Sequence, residues 1–160
     1  MTRTPTATGR RVLRRSTLAI AIVAALAVAG CGSSPPPSLI QLRAQATRIC
    51  STASRQLGTI ATPPSEAQGD AFLKHGIAVL GPELGQLHSL EAPTTAADVY
   101  RAALSGLSGE LSGLKDAAQA LARQEDPVIA FRALQQRLSP LERQADDAWQ
   151  ALQIPTCMSR

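Results

Sequence analysis

Ala97, Tyr100, Leu104, Leu107, Leu111, Leu114, Ala118 and Leu121 succeed one another at alternating steps of three and four residues. Steps of this size gather side chains into one stripe along an α-helix; a strand, whose side chains alternate between faces, would scatter them. A stripe of leucines needs a cover, and three further segments offer one with similar spacing. They are Leu39, Leu42, Ala46, Ile49, Ala53 and Leu57; Leu73, Ile77, Leu80, Leu84 and Leu87; and Phe131, Leu134, Leu138, Leu141, Ala145, Ala148 and Leu152. No strand competes, because aromatics make up 2% of the chain and β-branched runs are lacking. Four amphipathic helices with short connections predict an all-α, up-down-up-down four-helix bundle over residues 38–157. The stretch suffices for one core, not two. That core is rich in Leu and Ala, so the helices should approach closely.

The helix ends carry their own signals. Ser38 can cap the first helix and Gly58 can end it in the left-handed conformation; Pro63-Pro64 then breaks the chain. Ser65 with Gln68 three residues later has the form of a capping box for the second helix. Gly81-Pro82 predicts a kink or short break within it. Thr95 with Asp98 three later marks the start of the third helix. Asp126-Pro127 joins an N-cap to the favoured first-turn proline of the fourth. Ser139-Pro140 should bend this last helix, and Ile154-Pro155-Thr156-Cys157 ends it.

Ahead of the helices, residues 1–30 have the make-up of a signal peptide. Arg3, Arg10, Arg11, Arg14 and Arg15 form a basic start without an acidic residue, and an apolar run, STLAIAIVAALAVAG, follows. The run is shorter than the ~20 residues a bilayer span needs and ends in small residues. Val28-Ala29-Gly30-Cys31 stands where a cleavage site is due. These four positions resemble the bacterial lipobox, in which small residues precede a cysteine that is lipidated and becomes the new N-terminus. The resemblance implies a lipoprotein whose Cys31 carries a diacylglyceryl group, often with a further amide-linked chain such as palmitate. Each buried CH2 contributes ~0.8 kcal/mol, and two or more chains anchor stably. The expected location is therefore the extracytoplasmic face of the cell membrane. Arg14-Arg15 also resembles a twin-arginine signal, but Thr17 occupies the usual aromatic position, so ordinary export is preferred. Residues 31–37 form a Pro/Ser tether whose three prolines favour an extended chain, holding the body about 20 Å from the lipid surface.

Removal of the first thirty residues changes the charge. The full chain has net charge +4, but five of its sixteen Lys and Arg precede Cys31 and none of its twelve Asp and Glu do. The chain from Cys31 onward thus has eleven basic and twelve acidic residues, a net charge of −1. The basic footprint of a nucleic-acid binder is missing, as is a polybasic patch for anionic lipid.

Cys31 taken by lipid leaves Cys50 and Cys157. Outside the cytoplasm an even pair reads as a disulfide, and so long a closed loop would stabilise by about 4–5 kcal/mol in the chain-entropy model. A redox or metal pair is the alternative, but there is no C-x-x-C, and His75 and His88 sit at no ligand spacing from either cysteine. One tension remains. Cys50 falls about three turns into the first helix, so either residues 38–46 overhang the bundle or residues 153–157 fold back along it.

TRICSTASRQL, EAPTTAADVYRAAL and AWQALQIPTC together resemble a group of uncharacterised small helical proteins, secreted or lipidated, of high-GC Gram-positive bacteria. The shared features are Cys50 early, Pro93 before a long helix containing Tyr100, and a hydrophobic-Pro-x-Cys ending at Cys157. The resemblance supports the bundle and the disulfide and implies no activity.

Chemistry-bearing patterns are few. His75 and His88 form no H-x-x-x-H or H-E-x-x-H, and read as surface residues. Glu125-Asp126 and Asp146-Asp147 are neighbours that point in different directions on a helix; Asp126 reads as a cap and the others as a solvated face. No G-x-S-x-G elbow occurs, nor a phosphate loop after a strand. Metal sites, cofactors and catalysis are not expected. Trp149 and Tyr100 read as core or core-edge residues. Gly106, Gly109 and Gly113 are unusual in a helix, where each costs ~1 kcal/mol relative to Ala. They fall mainly away from the leucine stripe, which suggests a smooth surface for a partner helix; close packing within the bundle is the alternative. The expected function is a structural or protein-interaction module at the membrane, with a membrane or envelope protein as partner. The alternative is a small apolar-ligand or lipid binder, with a cavity near Pro82 and Pro140.

Overall fold

A computed structural model describes residues 37–65 and 68–158. The signal peptide expected over residues 1–30, Cys31, and the expected tether as far as Pro36 lie outside the described residues. The chain forms α1 (Leu39–Leu57), α2 (Gly69–His88), α3 (Ala97–Ala122) and α4 (Pro127–Ala151), followed by a 3-10 turn at Pro155–Cys157. It is an all-α four-helix bundle closed by a Cys50–Cys157 disulfide. Pro35–Arg160 forms a compact unit of its own, holding every one of these elements. The leucine stripes are what it buries: Leu42 and Ala46 of α1, Leu73 and Leu87 of α2, Leu104, Leu107 and Leu111 of α3, and Leu134, Ala145 and Ala148 of α4. α3 packs most extensively on α4 and then on α2, while α1 rests on α2 and on the terminal turn.

Two helix starts follow the expected chemistry. The Ser38 Oγ accepts from the Gln41 N–H at 3.2 Å, and the Gln41 side chain accepts from the Ser38 N–H at 3.2 Å, a full capping box. Asp126 accepts from the amides of Val128 and Ile129 at 2.8 and 3.3 Å, with Pro127 in the first turn.

The other two starts differ. α2 begins at Gly69, after Gln68, and Ser65 does not cap it. Close packing sets this start: a Cβ on Gly69 would stand 2.6 Å from the Phe131 ring. α3 begins after Ala96, with no side-chain cap from Thr95. A turn in which the Ala96 N–H donates to the Pro93 carbonyl at 2.8 Å leads into it, and Ala96 itself is buried.

The helix ends also correct the expectation. Gly58 is right-handed, with φ −63°, because the chain continues through successive turn bonds from Thr59 and Ile60 rather than reversing. The left-handed residues are Gln124 and Gln153, at φ 63° and 59°. Each terminates a helix in a Schellman arrangement. The Glu125 N–H donates to the Ala120 carbonyl at 3.1 Å, and the Ile154 N–H to the Trp149 carbonyl at 2.9 Å.

Neither inner proline breaks its helix. α2 runs through Pro82 and α4 through Pro140. Each proline is exposed, as are Ala78 and Gln136, the residues whose carbonyls lose a partner. On that exposed side of each helix, water can take over the missing bond.

The position of Cys50 is resolved by the tail. Residues 38–46 do not overhang, since Leu42 and Ala46 are fully buried. Instead Gln153 reverses the chain after α4, and the terminal turn runs back along α1. Arg43 Nε donates to the Leu152 carbonyl at 2.7 Å, and Cys157 then meets Cys50 with a Cα–Cα separation of 5.1 Å. A guanidinium at the α4 C-terminus also suits that helix's dipole.

Candidate functional site

The buried side chains fall into two clusters. The larger joins Leu42, Ala46 and Cys50 of α1 to Leu87, Tyr100, Leu107, Ala145, Trp149, Ile154 and Cys157. The smaller joins Leu73 to Ala117, Ala118 and Leu134, with Ile77, Leu114, Phe131 and Leu138 packed on it. Between the clusters, three helices each carry a glutamate at a stripe position. Glu83 lies three residues after Leu80 and four before Leu87; Glu110 lies three after Leu107 and four before Leu114; Glu142 lies four after Leu138 and three before Ala145. Those steps share one helix face. Glu83 is 2% exposed, an acidic residue within the core.

At this level the bundle is not closed. A cleft of about 540 Å³ opens between the four helices, lined by Leu57, Ile60, Phe72, Leu73, Leu80, Leu114 and Leu138. Gly76, Glu110 and Glu142 belong to the same wall, and the lining includes no Lys, Arg or His. Leu80 and Leu138 each stand two residues ahead of an inner proline, but neither Pro82 nor Pro140 itself lines the opening. A Cβ on Gly76 would meet nothing within 4 Å, so on this side the cleft reaches the helix backbone. Its volume lies within the ~300–1,000 Å³ usual for small-molecule sites, which are also mostly apolar with a few placed polar groups. Ile60, Thr62 and Phe72 also border a more open hollow of about 800 Å³, whose walls are largely the α1–α2 loop.

The glycines singled out from the sequence are elsewhere and do something else. A Cβ on Gly106 would stand 2.7 Å from the Ala145 Cβ and 3.1 Å from the Leu141 carbonyl oxygen. One on Gly109 would meet the end of the Leu141 side chain at 2.9 Å, and one on Gly113 would touch Leu134 at 3.4 Å. The stripe is therefore the α3–α4 contact itself, and the expected partner surface is corrected: α4 already occupies it. Small residues allow the two backbones to approach, as in other close helix pairs.

Tyr100 and Trp149 are core residues, with ring centroids 5.9 Å apart in an edge-to-face arrangement. The Tyr100 hydroxyl donates to the Leu87 carbonyl at 2.6 Å. Burial, which disfavours the phenolate, pushes its pKa up to about 12. His75 and His88 are exposed. Glu125 pairs with Arg123 on the surface, and Asp126 is the α4 cap. Among the described residues no group of three His, Cys, Asp or Glu could hold a metal ion, and no helix is long and apolar enough to cross a membrane.

The glutamates were missed by the sequence reading, although their signal was present. A charged residue three or four positions from core leucines on both sides is a break in a stripe, and three helices show one.

Fold and site together define a disulfide-closed, all-α bundle with an apolar cleft flanked by carboxylates. In comparisons with known proteins, the chain matches no family model, no curated protein and no solved structure.

Proposed function

We propose that this protein is a lipid-anchored, extracytoplasmic, non-catalytic binding module, held by lipid on Cys31, whose bundle takes a small apolar ligand in the cleft between the four helices. The observation that carries the reading is the cleft itself. Leucine, isoleucine and phenylalanine side chains line an opening that a bundle of this size could have filled. Water against such walls is released when an apolar molecule enters, which drives binding at roughly 25 cal/mol per Å² of apolar surface covered. The interaction-module reading had the glycine stripe as its one candidate partner surface. With that stripe used inside the bundle, the cleft carries more weight. The lipid anchor rests on the lipobox resemblance of residues 28–31.

A neutral fluorophore that brightens in apolar surroundings, N-phenyl-1-naphthylamine, tests the cleft. Titrated into the chain beginning at Pro35, it should show a saturable, single-site rise in emission. Gly76→Leu should abolish that rise while raising the melting temperature, since it fills the wall and replaces a helical glycine, worth about 1 kcal/mol. No saturable rise, or one that Gly76→Leu leaves intact, would overturn the reading. The anchor is checked separately. The protein should partition into the detergent phase after export, and Cys31→Ala should fail to incorporate a labelled fatty acid.

A further inference from the structure

We infer that the Cys50–Cys157 disulfide controls the cleft: oxidised, it fixes α1 as one wall; reduced, it lets α1 move away, so that an apolar ligand is released. The inference rests on the ligand-binding reading above and assigns that site its regulation. Cys50, Ser54 and Leu57 follow at steps of four and three, so they share one face of α1. Ser54 and Leu57 line the cleft, which puts the bridge one to two helical turns from the wall it would steady. Little else holds α1. Its main neighbours are α2 and the terminal turn, whereas α3 packs on both α2 and α4. The terminal turn follows α4, so the bridge is the covalent tie between α1 and the far end of that helix. Once it is cut, the Arg43 bond to the Leu152 carbonyl and the burial of Ile154 are left to keep the turn in place. The opposite walls stand apart from this. Leu73, Leu114 and Leu138 belong to the smaller cluster, which contains no residue of α1. Loosening α1 would thus remove one side of the cleft and leave the others standing. The reductant is a dithiol. Its thiolate attacks one cysteine sulfur, the S–S bond breaks, and the other cysteine leaves as a thiol; the second thiol of the dithiol then resolves the mixed disulfide. Two electrons and two protons pass to the cysteines, and the dithiol ends as a disulfide. Both cysteines are buried, so the exchange waits on a lifting of the terminal turn.

The chain beginning at Pro35 carries these two cysteines and no third. N-phenyl-1-naphthylamine is titrated into it oxidised, after reduction by dithiothreitol, and after reoxidation. If α1 keeps its closed position about a tenth of the time once untied, the reduced protein should bind roughly tenfold more weakly, with full affinity returning on reoxidation. The double variant Cys50→Ala, Cys157→Ala should bind as the reduced protein does, and dithiothreitol should not alter it. Amide hydrogen exchange, followed on the same samples, should show protection lost in α1 on reduction and kept in α3 and α4. Equal affinity of the oxidised and reduced proteins would overturn the control by the bridge and leave the ligand-binding reading standing. So would weaker binding with α1 still protected, since the wall would not have moved, and so would an effect of dithiothreitol on the double variant. Loss of protection in all four helices would also overturn it, because the bridge would then hold the whole fold and not one wall. No saturable emission from the oxidised protein would overturn both readings.

Discussion

Tyr100 holds its hydroxyl proton against the Leu87 carbonyl in a place where a phenolate would have no water around it. In the unfolded chain that proton leaves near pH 10, in the fold near pH 12. The folded state therefore keeps a proton that the unfolded state releases. Stability should be insensitive to this group below about pH 10 and should fall by about 1.4 kcal/mol per pH unit above it, until about pH 12. The chain has one tyrosine, so tyrosinate absorbance reads it directly, and Tyr100→Phe should flatten the alkaline decline at a neutral-pH cost of about 1 kcal/mol. A midpoint near 10 in the folded protein would show the hydroxyl to be open to solvent. The glycines give a sharper contrast, since the same substitution should act in opposite directions. Gly106→Ala drives a methyl into Ala145 and the Leu141 carbonyl, a strain of about 1–3 kcal/mol that outweighs the ~1 kcal/mol gained in helix propensity. Gly85 is exposed and a Cβ there meets nothing within 4 Å, so Gly85→Ala should stabilise by about 1 kcal/mol. Urea melts of the two variants should shift in opposite directions.

Helix ends were where the sequence was hardest to read, and the reason differs from end to end. Ser38 and Asp126 cap as expected because their partners are local amides, reachable from the chain alone. Ser65 and Thr95 have the same local chemistry, but Gly69 beneath Phe131 and the burial of Ala96 decide those starts, and both are matters of tertiary packing. Left-handed geometry went to Gln124 and Gln153, where the chain reverses, and not to Gly58, where it does not. A side chain in that conformation costs ~1–2 kcal/mol, which glycine avoids. Gln124→Gly should therefore stabilise by roughly 0.5–1 kcal/mol once glycine's larger unfolded-state freedom is subtracted, seen as a higher melting temperature with an unchanged denaturant slope. The stripes themselves were fully legible, because a spacing of three and four belongs to the helix. Which face of each stripe meets which neighbour was not. That is why Gly106, Gly109 and Gly113 read as an outer surface, and why Glu83, Glu110 and Glu142 passed as ordinary polar residues until the two clusters were seen to stop on either side of them.

For the whole molecule, the Cys50–Cys157 disulfide ties the first helix to the segment that follows the fourth, across a sequence separation of 107 residues. α1 shares its largest helical contact with α2, and the terminal turn supplies the other side. Loss of the bridge should therefore loosen α1 most. Cys157→Ala is expected to cost about 3–5 kcal/mol, and Trp149, the sole tryptophan and a member of the same cluster, should report it as a red shift in emission at lower denaturant. An unchanged unfolding midpoint would show that packing alone secures the tail. The order of the chain gives this bridge a timetable. In the export proposed above, a polypeptide emerging N-terminus first would present α1 to the far side of the membrane before any helix that covers it, and Cys157 would come only after all four. Throughout that interval Cys50 would be a thiol without its mate, and the first thiol it could reach would be Cys31, nineteen positions earlier in the chain. A thioether to lipid at Cys31, as proposed, removes that rival. The anchoring chemistry would then also act as a proofreading step, holding Cys50 in reserve until its true partner arrives.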